Sequence, residues 1–240
     1  MSDTYSSIVS ARTRPAGVGA LRVEVIADLV CPFCFIGKRR LDEAMQAVHG
    51  PVEMSWYPYQ LNPQMPDDGV TLTDYLTERF GTPRAVQPTL DHLKAEGSVH
   101  GITFDFERIE RVPNTLAAHQ LMHLADSRGI DQGALADDLM SAFFEHGRDI
   151  GDRDVLIDIA AMHDLSEEAV IRVIEDRGIR EAVLHREKQV RDSGIGGVPG
   201  FLLNRRLLVV GAQDTDSLIN AFDRAMFGEG DEEVASPALH

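Results

Sequence analysis

The chain of 240 residues carries 23 Lys and Arg against 39 Asp and Glu, a formal net charge of -16, with 43% hydrophobic residues and two cysteines. Binding to nucleic acid or to an anionic lipid surface runs on Lys and Arg neutralising phosphate, so a chain this acidic is a poor candidate for either. Its apolar and charged fractions exclude a fibrous or globally disordered chain, and its length suits one large domain, or a small one carrying an insertion, folded without disulfide staples.

Residues 1–20 are polar, with Pro15, Gly17 and Gly19, and read as a flexible arm. They contain no apolar run suited to a secretory signal, and no later stretch approaches the roughly 18 apolar residues of a membrane-spanning helix, so the chain is expected in the cytoplasm and off the membrane. LRVEVIADL (21–29) alternates around Val23 and Val25 and predicts a strand. From Cys31 to His49 the apolar residues Phe35, Leu41, Ala44, Met45 and Val48 recur with a helical period, closed by Gly50-Pro51. VEMSWYPYQL (52–61) returns to alternation and predicts a second strand. Strand, helix and strand in so short a stretch usually pack as parallel strands joined by a right-handed crossover.

From Thr71 to about Arg191 the pattern is helical nearly throughout. TLTDYLTERFG, PRAVQPTLDHLKAEG, PNTLAAHQLMHLADSRG and DQGALADDLMSAFFEHG each end in glycine, the residue that most easily stops a helix in the left-handed conformation. DRDVLIDIAAMHDL and SEEAVIRVIEDRGIREAVLHREKQVRD follow, with Asp152 and Ser166 as N-caps. No fixed repeat is present, which argues against a solenoid. After GIGGVPG (194–200), FLLN (201–204), a basic turn at Arg205-Arg206 and LLVVG (207–211) predict a hairpin, and a helix from about Asp214 to Phe227 closes the fold. The order β-α-β, helical block, β-β-α means that the two ends need each other, because one β-α-β unit cannot cover both faces of its sheet. The fold class is α/β. One sheet domain (21–62 and 195–228) is interrupted by an inserted all-helical domain (63–194), with a disordered acidic tail at 229–240.

Both cysteines fall in one motif, Cys31-Pro32-Phe33-Cys34, at the end of a predicted strand and the start of a predicted helix. Cys31 lies at or near the N-cap, where unpaired N–H groups and the positive end of the helix dipole favour a thiolate. Pro32 takes the first helical position, where its missing N–H costs nothing. Cys34 follows one turn on, close enough to close a disulfide and facing inward. Those positions make Cys31 the nucleophile of a mixed disulfide and Cys34 the thiol that resolves it. Lys38, Arg39 and Arg40 fit the negative end of the helix better than they fit activation of the thiolate. Two other readings stand beside this one. A structural pair of buried free cysteines seldom opens a helix, and a zinc site completed by His119 and His123, one turn apart, lacks a second cysteine pair. Those histidines suit a helix surface or a core face.

A second signature, Gly196-Gly197-Val198-Pro199-Gly200, is only a turn when taken alone. Together with strand–CPFC–helix it makes the chain resemble the thioredoxin superfamily, and more closely the DsbA-like oxidoreductases of the FrnE type. The motifs are DLVCPFCFIGKRR (28–40), LNPQMP (61–66), PNTLAAH (113–119), FFEHGRDI ending at Ile150, Gly197-Val198-Pro199 and Gly211-Ala212-Gln213. The resemblance spans about residues 21–228. It implies a thioredoxin-like fold with a large helical insertion, a redox pair at Cys31 and Cys34, and Pro199 as a cis-proline in a loop packed against that pair. The Val198 backbone would pair an extended substrate beside Cys31 by strand addition, next to Pro32 and Phe33. Asn114, Thr115 and His119 map to a helix start that faces the active site in relatives, although Asn114 also suits a simple cap.

The implied activity is thiol–disulfide exchange, as oxidoreductase or isomerase, with protein or small-molecule substrates, by a monomer or homodimer. It needs no cofactor beyond the Cys31–Cys34 disulfide, with glutathione as a reductant or substrate. The chain has Phe33 where the family often has Trp, and Gly200 where it often has Thr. The secreted oxidant DsbA carries His inside its motif; Phe33 supplies no cation, so the disulfide here is expected to be less oxidising. With no further cysteines, the two-pair relay of some FrnE relatives is excluded. The alternative is a glutathione-dependent transferase or isomerase, since the fold also hosts kappa-class glutathione transferases and 2-hydroxychromene-2-carboxylate isomerases. Those carry serine where Cys31 stands and have no resolving cysteine, so two thiols favour redox exchange. A non-catalytic thiol-binding protein is the third reading.

Overall fold

LRVEVIA folds as strand β1 (Leu21–Ala27), PFCFIGKRRLDEAM as helix α1 (Pro32–Met45) and VEMSWYP as strand β2 (Val52–Pro58), in a computed structural model that describes residues 20–227. The expected arm, apart from Ala20, and the expected acidic tail lie outside the described residues. β1 and β2 are parallel, with Val25 opposite Trp56. Side-chain alternation assigns the faces of β1: Val23, Val25 and Ala27 enter the main core with Phe35 and Leu41 of α1, while Ile26 packs on the other face with Tyr57, Val190 and Leu202. Glu24, on that second face, is buried and neutralised by Arg205 at 2.7 Å.

The segment between the sheet halves holds β3 (Val70–Thr71), α2 (Leu72–Phe80), α3 (Pro83–Val99), β4 (Arg111–Val112), α4 (Leu116–Arg128), α5 (Gln132–Phe144), α6 (Arg153–Ala161), α7 (Glu167–Glu175) and α8 (Arg177–Asp192). The chain then returns to the sheet through β5 (Gly200–Leu203) and β6 (Leu207–Val210) and ends the described region in α9 (Thr215–Phe227). The strand order is β2-β1-β5-β6, with β5 antiparallel to both neighbours, so the two sequence ends complete one sheet.

Four details differ from the sequence reading. The first elements are shorter than expected: β1 stops at Ala27, α1 at Met45 and β2 at Pro58. The middle segment is not helical throughout, because β3, which follows a left-handed turn at Gly69, pairs with β4 and residues 106–108 form a 3-10 turn. Gly97 does not stop its helix; α3 runs on to Val99, and the turn falls at Gly101, φ +73°. Gly97 serves packing instead, since a Cβ there would lie 2.5 Å from the Phe104 ring. The run from Ser166 to Asp192 breaks at Asp176, whose extended backbone (φ -76°, ψ 113°) lets its Oδ1 cap α8 by accepting from the amides of Gly178 and Ile179.

α1 is fastened to the helical segment by aromatic rings. Phe35 stacks on Phe144 of α5 with centroids 6.1 Å apart and meets Phe104 edge-on, and Phe104 stacks on Phe106 at 5.1 Å. The element that opens with the cysteine motif is therefore gripped from both the sheet and the insertion.

Candidate active site

Cys31 is the N-cap of α1, with extended backbone (φ -97°, ψ 112°), and Pro32 occupies the first turn. The Cys31 Sγ accepts the Cys34 backbone N–H at 3.2 Å, the bond by which an N-cap satisfies an orphan helical donor. The main chain reinforces the corner: Cys34 N–H donates to the Cys31 carbonyl, and Cys31 N–H to that of Asp28. Both cysteines are buried and unbonded to each other, whereas Phe33 between them is 41% exposed, so the aromatic ring is the apolar surface presented beside the pair. The two sulfurs differ in environment. Burial, then the hydrogen bond to Cys31 and the charge of that neighbouring sulfur, push the Cys34 thiol well above its ordinary range.

The Val198–Pro199 peptide is cis, and Pro199 is buried while Val198 is half-buried. The loop lies against α1 because Gly37, one turn beyond Cys34, has no side chain. A Cβ there would stand 2.9 Å from Pro199 Cγ and 3.3 Å from Phe201 Cζ.

Asp28, which sequence reasoning quoted in a motif but gave no role, is 1% exposed and bridges the ends of the two parallel strands. Its Oδ1 accepts from Leu29 N at 2.8 Å and its Oδ2 from Leu61 N at 2.6 Å. Its charge also bears on Cys34, raising that thiol further, against a backbone hydrogen bond from Asp28 that lowers it. The signal for it was available: a carboxylate inside the apolar run of a strand end is costly unless it is held for a purpose. Gln60, also passed over, organises the next layer. Its N–H donates to Glu187 at 2.8 Å, its carbonyl accepts from Arg191, and its side-chain amide donates to Asn114 at 3.0 Å and Thr115 at 3.4 Å.

Asn114, Thr115 and His119 converge on this layer rather than on an open groove. Asn114 donates to the Met65 carbonyl at 2.8 Å and its Oδ1 accepts the Leu116 amide at 3.0 Å. It therefore holds the first free amide of α4 and the LNPQMP loop together, although the formal N-cap is Thr115, whose side chain makes no capping bond. Thr115 is buried, and the His119 side chain has no exposed surface, its Nε2 lying 3.5 Å from Asp28 Oδ1. Neither presents itself to a substrate in this arrangement. The basic run is also placed differently from the sequence reading. Lys38 is buried against Asp42 (2.6 Å) and Asp137 (3.5 Å), Arg39 pairs with Asp137 (3.0 Å), and Arg40 with Glu96 and the Ala212 carbonyl. These cations dock α1 to the insertion and to the turn after β6; the last turn of α1 has no basic residue. Among the described residues no group of three or more His, Cys, Asp or Glu side chains is arranged to hold a metal ion, and no helix is long and apolar enough to cross a membrane.

The arrangement has relatives. The model of the family described as DSBA-like thioredoxin domain matches residues 22–223. The uncharacterized protein YwbO of Bacillus subtilis (strain 168) is 25% identical over 212 residues, 87% of this chain and 97% of that protein. The crystal structure of a probable DsbA oxidoreductase, SCO1869 from Streptomyces coelicolor, superposes with a TM-score of 0.79 at 28% identity over 90% of this chain and 94% of that one. A 2-hydroxychromene-2-carboxylate isomerase structure shares the fold, with a TM-score of 0.63 at 13% identity over 85% of this chain and 95% of its own.

Proposed function

Because the chain belongs to the DSBA-like thioredoxin domain family, we propose that it is a thiol–disulfide oxidoreductase of the FrnE type working through Cys31 and Cys34. The observation that carries this reading is the asymmetry of the sulfurs. Cys31 sits at the mouth of a helix, its Sγ accepting an amide, while the Cys34 thiol is buried and held in its protonated form. The likeness to SCO1869 supports the same chemistry.

The Cys31 thiolate attacks one sulfur of a substrate disulfide. A bond forms between the two sulfurs, the substrate S–S bond breaks, and the electron pair leaves on the second substrate sulfur as a thiolate. Cys34 then loses its proton to the Asp28 carboxylate and attacks Cys31. The Cys31–Cys34 bond forms as the mixed disulfide breaks, and the substrate leaves with two electrons from the pair. Run backward, the same steps oxidise a dithiol, and the compartment's redox poise against the pair's own potential sets the direction.

Phe33 and the Val198 main chain are the surfaces that would receive the substrate, the first by apolar contact and the second by strand-like pairing beside Pro199. Backbone pairing is tolerant of sequence, which suits protein disulfides of varied surroundings as well as a small one such as oxidised glutathione. Glutathione would serve as a substrate or as the reductant that resets the pair. The transferase or isomerase alternative calls for a hydroxyl at position 31 and no second thiol, and both requirements fail in this sequence. Reduction of insulin and of oxidised glutathione tests the reading. The native protein is expected to turn over at least one of them and Cys31→Ser to fall to background; activity retained in that variant would contradict it.

A further inference from the structure

The proton that Cys34 surrenders has to leave a buried place, and the substrate covers the sulfur side when it does. The opposite side offers a route. His119 stands on α4 with its side chain fully buried and Nε2 3.5 Å from Asp28 Oδ1, a few tenths of an ångström outside hydrogen-bond reach. Among the described residues neither of its ring nitrogens has a hydrogen-bond partner, and the indole N–H of buried Trp56 also lacks one. Buried polar atoms are seldom left so. Both residues line one small cavity of about 10 Å³, with Pro58, Met122, His123, Gln132, Val183 and Arg186 as its other walls. That is room for the centre of a single water molecule, and the cavity is polar enough to hold one.

We propose that His119 and this cavity form a proton outlet for the Asp28–Cys34 pair, leading to the α4–α8 face of the molecule and away from the substrate. The proposal rests on the thiol–disulfide reading and adds the path taken by its proton. As Cys34 turns nucleophile, its S–H bond breaks and an Asp28 O–H bond forms. The Asp28 proton then passes to His119 Nε2 while the Nδ1 proton passes to a water held between the ring and the Trp56 indole. The ring stays neutral in its other tautomer, and Asp28 regains its charge. The water releases the extra proton past Arg186 and His123, which are half-buried at the cavity's edge. When an incoming thiol reduces the pair, a proton travels the same way inward and the first tautomer returns. Asp28 faces the ring from the end of β1, His123 from α4 itself and Arg186 from α8; Cys34 of α1 lies within the field of Asp28, and β2 and α5 contribute the neutral Trp56 and Gln132.

The test uses the full chain, reduced and mixed with an aromatic disulfide whose released thiolate is coloured. A first release reports attack by Cys31 and a second reports resolution by Cys34, followed in a stopped-flow instrument against pH. With His119→Gln, which fills the space but relays no proton, the second release is expected to slow at least about tenfold relative to the first. Its rate should then climb with hydroxide, and added imidazole should restore part of it in His119→Ala. Trp56→Phe, which keeps the ring but loses the N–H, is expected to slow the same phase. An unchanged ratio of phases and an unchanged pH profile in His119→Gln and Trp56→Phe would overturn the outlet. Absence of any second release from the native protein would instead overturn the thiol–disulfide reading beneath it.

Discussion

Cys31 and Cys34 share one helix turn, yet the fold gives them different neighbours, which suit the different tasks proposed for them. The first sulfur accepts an amide at the helix start; the second is enclosed, hydrogen-bonded to the first and under the field of the Asp28 carboxylate. Because the folded pKa of Cys34 is raised, the folded state binds that proton more tightly than the unfolded chain, where a thiol titrates near about 8.5. The associated stability is fully present below that pH and is lost as pH rises toward the folded value. Urea unfolding of the reduced protein at about pH 7 and about pH 10 is therefore expected to show an alkaline loss that is smaller in Cys34→Ala. An equal loss in the two proteins would mean that Cys34 titrates normally. The placement of the cysteines is legible in the sequence because it depends on position along a single helix. The contacts of Asp28, Gln60 and His119 are not, because they arise where residues far apart in the chain meet, and a sequence shows only that such polar residues sit in apolar surroundings.

The elements that local periodicity describes are the ones that the sequence marks well. Alternation in 21–29 and helical spacing after Cys31 are properties of a few consecutive residues, and so is the hairpin around Arg205-Arg206. β3 and β4 are two residues each, held by a turn in which a Cβ at Gly69 would stand 2.5 Å from the Val112 carbonyl, and no period reveals so short a pair. The break at Asp176 did leave a sign, an Asp followed two residues later by Gly inside a helical run, whereas Gly97 misleads because tertiary packing overrides its usual stop. Gly37 is a helix position on which the packing of the Pro199 loop depends. In an open helix Gly→Ala gains up to about 1 kcal/mol, but here the methyl would lie 2.9 Å from Pro199 Cγ. Overpacking costs about 1–3 kcal/mol, so Gly37→Ala is expected to lower both the urea midpoint and the rate of disulfide exchange. A higher midpoint would show that the Pro199 loop gives way freely.

Across the whole molecule, the sheet and the insertion are locked together through α1. Phe35, Phe104, Phe106 and Phe144 bridge them from within, and Arg40, reaching Glu96 of α3 and the Ala212 carbonyl at 2.7 Å, bridges them nearer the surface. Phe104→Ala removes the ring that touches the other three and opens space beside Gly97; a loss of about 3–5 kcal/mol is expected. Circular dichroism and tryptophan fluorescence should still follow one transition, since Trp56 lies in the sheet and most helices lie in the insertion. Separate transitions would mean that the two parts fold independently.

Attack by Cys31 and release by Cys34 are separated by mass spectrometry of Cys34→Ser after exposure to a disulfide substrate: a stable adduct on Cys31 with loss of turnover is expected, and full turnover with no adduct would show that Cys34 does not resolve the mixed disulfide.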